Sequence, residues 1–170
     1  CSRDWSSDVC SSDLGRMSDF LYSVEREFDL PVEILWAAWT DPVALEAWYH
    51  PTDLSVVPGS VTSDAVEGGA WSAGIDVPEM GFAAYFYGRY TVVVENARLE
   101  HTMAYTQSAE EFAVRDESAP HHRVLVEFES RDFRSWVKFS QYGELPEGQA
   151  VRAQAGMESY FDSLENYLSA

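Results

Sequence analysis

Alternating apolar and polar positions predict that most of the chain forms β-strands. In 20–28, Phe20, Tyr22, Val24 and Phe28 share one face, while the positions between them are mostly polar. Similar stretches follow at 54–67 (broken by Pro58-Gly59), 71–77, 82–95, 99–106, 124–129 and 133–140. Strand 82–95 is expected to present one continuous apolar face. That face would consist of Phe86, Gly88, Tyr90, Val92 and Val94.

Apolar spacing of three to four residues predicts two short helices after the first strand. Pro31 suits the first turn of a helix, and Asp41 before Pro42 is typical of an N-cap that starts the second helix. The second helix should end near His50. The expected apolar positions are Ile34, Leu35, Ala38 and Trp39 in the first helix and Val43, Leu45, Ala47 and Trp48 in the second.

A longer amphipathic helix is predicted at 149–168, about 30 Å long at ~1.5 Å per residue. Its apolar positions are Val151, Ala155, Met157, Phe161, Leu164 and Leu168. The polar, acidic stretch 107–120 is predicted to be a loop.

This order of elements predicts an α+β fold with an antiparallel sheet of six to seven strands. The apolar face of such a meander must be covered, and the long C-terminal helix can lie across it. A strongly curved sheet around one helix tends to leave space between the two, and ligand pockets favour such places.

Composition and net charge exclude several classes of partner. The chain has 170 residues and a net charge of −18, and it is 46% hydrophobic, which suits one folded domain. Such an acidic protein repels nucleic-acid phosphate and anionic lipid, so neither is expected as a partner. No apolar run approaches the ~20 residues that cross a bilayer. We expect a cytoplasmic protein that is a monomer or a weak dimer.

Residues 1–16 differ from the rest because they show no apolar periodicity and contain both cysteines, Cys1 and Cys10. The stretch from Arg3 to Leu14 can be back-translated into a common sequencing-library adapter. We therefore predict a non-native, disordered tail at 1–16 and one domain at 17–170, which starts at Met17 and contains no cysteine.

Several short motifs stand at fixed places along this domain. They read EREFDLP (25–31), WAAWTDP (36–42), WYHP (48–51), EGG (67–69), YGRY (87–90) and SLENYL (163–168). Together they resemble the SRPBCC superfamily, which has a START-like (Bet v 1-like) helix-grip fold. The most similar branch is that of the C-terminal domain of the heat-shock chaperone ATPase activator. The resemblance implies a curved sheet wrapped around the C-terminal helix, but one such scaffold hosts many activities.

The parity of the strands and the helix stripe identifies the side chains that should point into a cavity under the last helix. These candidate cavity residues are Trp71, Tyr90, His101, Met103, Tyr105, Met157 and Phe161. His101 stands on the apolar side of its strand, either as a hydrogen-bonded core histidine or as a polar contact or general base in the cavity.

Other chemistry is not indicated by the sequence. His121-His122 are adjacent on a predicted strand, so their side chains point to opposite faces and cannot share one metal ion. Zinc-type histidine spacing, nucleophile elbows and phosphate-binding glycine loops do not occur in the sequence. We therefore expect no metal, no cofactor and no catalytic residue.

Three functions remain open. The first is non-catalytic binding of a hydrophobic or amphipathic small molecule in the cavity. The second is an enzyme of the cyclase or hydrolase type on the same fold, with His101 and a tyrosine or glutamate converging in the cavity. The third, implied by the resemblance, is a module that interacts with a chaperone ATPase.

Overall fold

The computed structural model describes residues 19–169, so the expected tail at 1–16 lies outside the described residues. The strands are β1 (Phe20–Phe28), β2 (Ser55–Val56), β3 (Thr62–Ser63), β4 (Ala70–Val77), β5 (Phe82–Val94), β6 (Arg98–Thr106), β7 (His122–Arg131) and β8 (Arg134–Tyr142). The helices are α1 (Val32–Thr40), α2 (Pro42–Trp48), α3 (Ala109–Val114) and α4 (Gln149–Ser169), with a short 3-10 helix at Pro78–Met80.

The strands form one antiparallel sheet in the order β1-β8-β7-β6-β5-β4, and β2 and β3 both pair with β4. The two short strands therefore occupy a single seventh position at the edge. The curved sheet, the two short helices and the long C-terminal helix confirm the predicted helix-grip α+β fold.

Strand β5 contains a bulge that corrects the predicted face. Tyr90 pairs with His101, whereas Val92 pairs with Glu100, so Thr91 has no opposite residue. The extra residue reverses the alternation beyond it. Val93 packs against the core and Val94 is 49% exposed, so the prediction that Val92 and Val94 continue the apolar face was wrong.

The expected loop at 107–120 contains the helix α3, which covers part of the outer face of the sheet. Phe112 is buried there and stacks on Tyr85 with ring centroids 4.6 Å apart. The Ser108 side chain caps the helix by accepting a hydrogen bond from the Glu111 backbone N–H. The helix is stabilised by one buried aromatic side chain and one N-cap. Because the rest of the segment is polar, its composition predicted a loop instead.

The helices α1 and α2 begin and end close to the predicted positions, and the Asp41 carboxylate accepts a hydrogen bond from the Val43 N–H at 3.0 Å, as expected of an N-cap. Ile34, Val43 and Ala47, however, are exposed, although the spacing placed them on the buried side. Leu35, Ala38, Trp39, Ala44, Leu45 and Trp48 form the buried faces. In such short helices a shift of one position still satisfies the spacing rule.

Helix α4 packs mainly on β1 and α2 rather than over the centre of the sheet. Arg26 on β1 forms ion pairs with Glu158, Asp162 and Glu165, at 2.9 to 3.1 Å. Phe161 packs against Trp39 with ring centroids 5.9 Å apart. Because the helix lies towards the β1 side, space remains between its N-terminal half and strands β5 to β8.

Candidate functional site

A cavity of about 970 Å³ lies between α4 and the concave face of the sheet. Buried residues line its inner end, which we call the closed end, and exposed residues surround its mouth. The closed end is formed by Tyr22, Tyr49, Phe139, Gln141, Met157 and Tyr160, of which only Tyr160 is partly exposed. The mouth includes Asp19, Tyr105, Pro120, His121, Glu144 and Arg152.

The walls between these ends are largely apolar because each strand places its inward residues on the concave face. Phe86 from β5 and Met103 from β6 form one side, and Ala153 and Gly156 from α4 form the other. A Cβ atom at Gly156 would meet no heavy atom within 4 Å. Between the larger side chains of Arg152 and Met157, helix α4 therefore presents two small residues to the cavity.

A chain of hydrogen bonds runs along one wall from the closed end to the mouth. The Tyr22 hydroxyl donates to Gln141 Oε1 at 2.6 Å, and Gln141 Nε2 lies 2.6 Å from His122 Nδ1. Since an amide nitrogen only donates, His122 Nδ1 accepts and the ring proton is on Nε2. His122 Nε2 then donates to the Glu144 carbonyl at 3.1 Å, so the chain is complete with a neutral imidazole.

Gly143 makes this arrangement sterically possible. A Cβ atom at position 143 would lie 2.3 Å from the His122 ring. Its φ of +155° also falls in the region that favours glycine. The turn after β8 can therefore pass directly over the imidazole and bring the Glu144 carbonyl to it.

Two further tyrosines stand at the closed end. The Tyr49 ring packs edge-on against Tyr160 and Trp48, with centroids 5.0 Å and 5.3 Å away. Among residues 19–169, neither the Tyr49 nor the Tyr160 hydroxyl has a hydrogen-bond partner. Burial raises the pKa of Tyr49 and of Tyr160, so both stay protonated and can donate.

The charged residues of the site stand at the mouth. Asp19 and Glu144 supply carboxylates, and Arg152 supplies a guanidinium. Within the described part of the chain, Arg152 has no carboxylate at salt-bridge distance. The cavity thus changes from charged and solvated at the mouth to uncharged at the closed end.

The structure divides the seven predicted cavity residues into two groups. Met103, Tyr105 and Met157 line the cavity, with Tyr105 at the mouth and 52% exposed. The other four, Trp71, Tyr90, His101 and Phe161, are packed in the adjoining core.

His101 is a buried member of an aromatic stack. Its ring lies on Trp71 with centroids 4.3 Å apart, and Tyr90 meets it edge-on at 5.8 Å. Nδ1 lies 2.9 Å from the Thr102 carbonyl, to which it must donate. Burial lowers the pKa of His101 to about 4, so the ring is neutral near pH 7.

Sequence reasoning missed most of the polar lining, namely Tyr22, Tyr49, Gln141, His122 and Tyr160. Tyr22 was on a predicted apolar face, but nothing distinguished it there from an ordinary core tyrosine. Gln141 and His122 are at the ends of strands, where alternation becomes weak. Tyr160, three residues after Met157, follows the inner stripe of α4 and was the one member that spacing could have identified.

Neither a metal centre nor a membrane span is found in the described part of the chain. Residues 19–169 contain no cluster of three or more histidine, cysteine or acidic side chains that could hold an ion. No helix in the same range is both long and apolar enough to cross a membrane.

The family of this protein is shown by its match to a known family model. Residues 29–169 match the model of the family described as activator of Hsp90 ATPase homolog 1-like protein. The chain belongs to this family. The match spans most of the chain and confirms the expected assignment to the SRPBCC superfamily. A search of curated protein sequences gives no match.

Solved structures share the fold of this family member at low sequence identity. The AHSA1 protein of Silicibacter pomeroyi is 20% identical, with a TM-score of 0.72 over 87% of this chain and 96% of that protein. A protein from Chromobacterium violaceum is 19% identical, with a TM-score of 0.70 over 85% and 94%. DynU16, from the dynemicin biosynthetic locus, is 18% identical, with a TM-score of 0.63 over 89% of this chain and 48% of DynU16.

Proposed function

We propose that the protein binds a small hydrophobic or amphipathic molecule in the cavity between the curved sheet and α4. The observation that carries this proposal is the cavity itself, about 970 Å³ and bounded mainly by apolar side chains. Protein interiors are otherwise close-packed, and voids larger than a water molecule are few. Ligand pockets of ~300–1,000 Å³ with mostly apolar walls and a few placed polar groups are the usual form of a small-molecule site.

The position of α4 supports the same proposal. Arg26 and its three carboxylate partners fix the helix against β1, outside the cavity. The helix is thus held without filling the space beside it. Ala153 and Gly156 then leave that space open on the helix side.

A thermal-shift screen with a library of apolar and amphipathic metabolites tests the proposal. A ligand at about 100 times its Kd adds about 2.7 kcal/mol to the free energy of unfolding, which corresponds to a Tm increase of roughly 5–10 °C for a chain of this size. Each hit should be recovered chemically unchanged by mass spectrometry. A library of this class that leaves the Tm unchanged throughout would count against the proposal.

An enzyme of the cyclase or hydrolase type is the second candidate. It is supported by the similarity to DynU16, a protein from a biosynthetic locus. His122 is the candidate catalytic histidine. It lines the cavity, and its ring is connected to the Tyr22 hydroxyl through Gln141. Conversion of a bound compound that persists in His101→Phe and is lost in His122→Gln would favour this candidate over simple binding.

A further inference from the structure

The hydroxyls of Tyr49 and Tyr160 at the closed end have no partner among residues 19–169, and they indicate which chemical group of a ligand would lie there. Tyr49 is only 4% exposed, and its hydroxyl has no partner among residues 19–169. The oxygen is not one of the fully enclosed polar atoms of residues 19–169 that lack a hydrogen bond, so it is open to the cavity, where a ligand can reach it. Phenylalanine in its place would keep the ring and its packing. The oxygen therefore contributes nothing to the packing of the free protein that phenylalanine would not supply.

The hydroxyls are also held in place before any ligand arrives. Tyr49 directly follows α2, and its ring is enclosed by Trp48 at 5.3 Å and Trp71 at 6.0 Å between centroids. The Tyr160 ring, carried by α4, meets it edge-on at 5.0 Å. Donors fixed in this way lose little conformational entropy on binding.

The charge around these hydroxyls limits the partner that they can receive. Of the described residues that line the closed end, none carries a formal charge, since Asp19, Glu144 and Arg152 are at the mouth. An ionised ligand group would be buried there without a counter-charge, which is strongly unfavourable. An uncharged oxygen would only exchange its bonds to water for bonds to the tyrosines.

We infer that the closed end is a subsite for an uncharged oxygen group of the ligand, a carbonyl or a hydroxyl, bound by Tyr49 and Tyr160. This inference rests on the proposed function, because it assigns the buried end of the molecule that the cavity binds. The apolar remainder of the ligand lies against Phe86, Met103 and Met157. The hydroxyl of Tyr22 is not part of the subsite as a donor, since it donates to Gln141.

Three matched fluorescent probes test the subsite: pyrene, 1-hydroxypyrene and 1-pyrenecarboxylate, titrated at pH 7. The wild-type protein should bind 1-hydroxypyrene about three- to tenfold more tightly than pyrene, the gain expected from one or two hydrogen bonds. The ionised 1-pyrenecarboxylate should bind more weakly than either. In the double variant Tyr49→Phe, Tyr160→Phe, the preference for 1-hydroxypyrene should disappear while pyrene keeps its wild-type affinity.

The unchanged binding of pyrene shows that the double variant still forms the cavity. Tyr167→Phe removes an exposed hydroxyl near the C-terminal end of α4, outside the residues that line the cavity, and is the matched control, which should keep the preference of the wild type. Equal binding of pyrene and 1-hydroxypyrene by the wild type, or a preference that survives in the double variant, would overturn the subsite alone. Failure of all three probes to bind would overturn both the subsite and the proposed function.

Discussion

Single residues determine how this protein responds to pH, and His101 is the clearest case. Its ring is fully enclosed between Trp71 and Tyr90, and burial lowers the pKa of His101 to about 4. The unfolded chain binds a proton at this histidine near pH 6.5, which the folded protein excludes. The contribution of His101 to the free energy of unfolding is therefore fully present above pH 6.5 and decreases as the pH drops towards 4. Below pH 4 both states bind the proton, and the contribution no longer changes.

The pH dependence can be measured by urea unfolding of the wild type and His101→Phe between pH 7 and 4. The wild type should lose on the order of 3 kcal/mol more than the variant across this range. Carboxylates protonate in both proteins, so their effect cancels in the difference. Parallel stability curves would show that His101 does not resist protonation.

The alternation along the strands predicted correctly which side chains point to the concave face. It did not predict which of these pack in the core and which line the cavity. Tyr90 and Met103 both point to the concave face, yet Tyr90 is packed in the core and Met103 lines the cavity. The difference comes from where α4 lies along the sheet, which no local pattern encodes. For the same reason Tyr49, at the end of a short helix, gave no sign of a role in the site.

At the scale of elements, the attachment of α4 to β1 keeps the cavity open. Arg26 is near the C-terminal end of β1 and donates hydrogen bonds to three carboxylates on successive turns of the helix. Without the guanidinium, the carboxylates of Glu158, Asp162 and Glu165 would lie side by side on α4 with no positive charge between them and would repel one another.

Arg26→Met tests this attachment because it keeps an apolar stem over Phe161 and removes only the charge. We expect a loss on the order of 2 kcal/mol in the free energy of unfolding, measured in urea at low salt. Arg134→Met is the control, since Arg134 pairs with Glu27 at the exposed end of β8 and should change stability by less than about 1 kcal/mol. Similar losses in both variants would contradict the special role of Arg26.

The order and type of nearly all elements followed from the sequence because long periodic segments carry strong signals. Two features did not follow. The bulge at Thr91 leaves no trace in an apolar strand in which both parities carry valines. The helix α3 depends on one phenylalanine within a polar segment, and its helical character comes from the fit of Phe112 against Tyr85 rather than from spacing.

At the scale of the whole molecule, the site exists because two well-predicted parts do not fill the space between them. The curved sheet and α4 each follow from the sequence, whereas the cavity follows from their relative position. Ala153 and Ala155 show the difference, since Ala153 lines the cavity and Ala155 is exposed on the same helix. These two alanines therefore provide a matched pair for testing whether the space is a binding site.

The most direct test of the account compares Ala153→Phe with Ala155→Phe, measuring the free energy of unfolding and the Kd for pyrene. In an open cavity, the phenylalanine at 153 occupies ligand space, so stability should change by less than about 1 kcal/mol while pyrene binding is lost. Ala155→Phe should leave both quantities close to those of the wild type. A loss of roughly 1–3 kcal/mol in Ala153→Phe, with pyrene binding equal to that of the wild type, would show a packed interior and contradict the account.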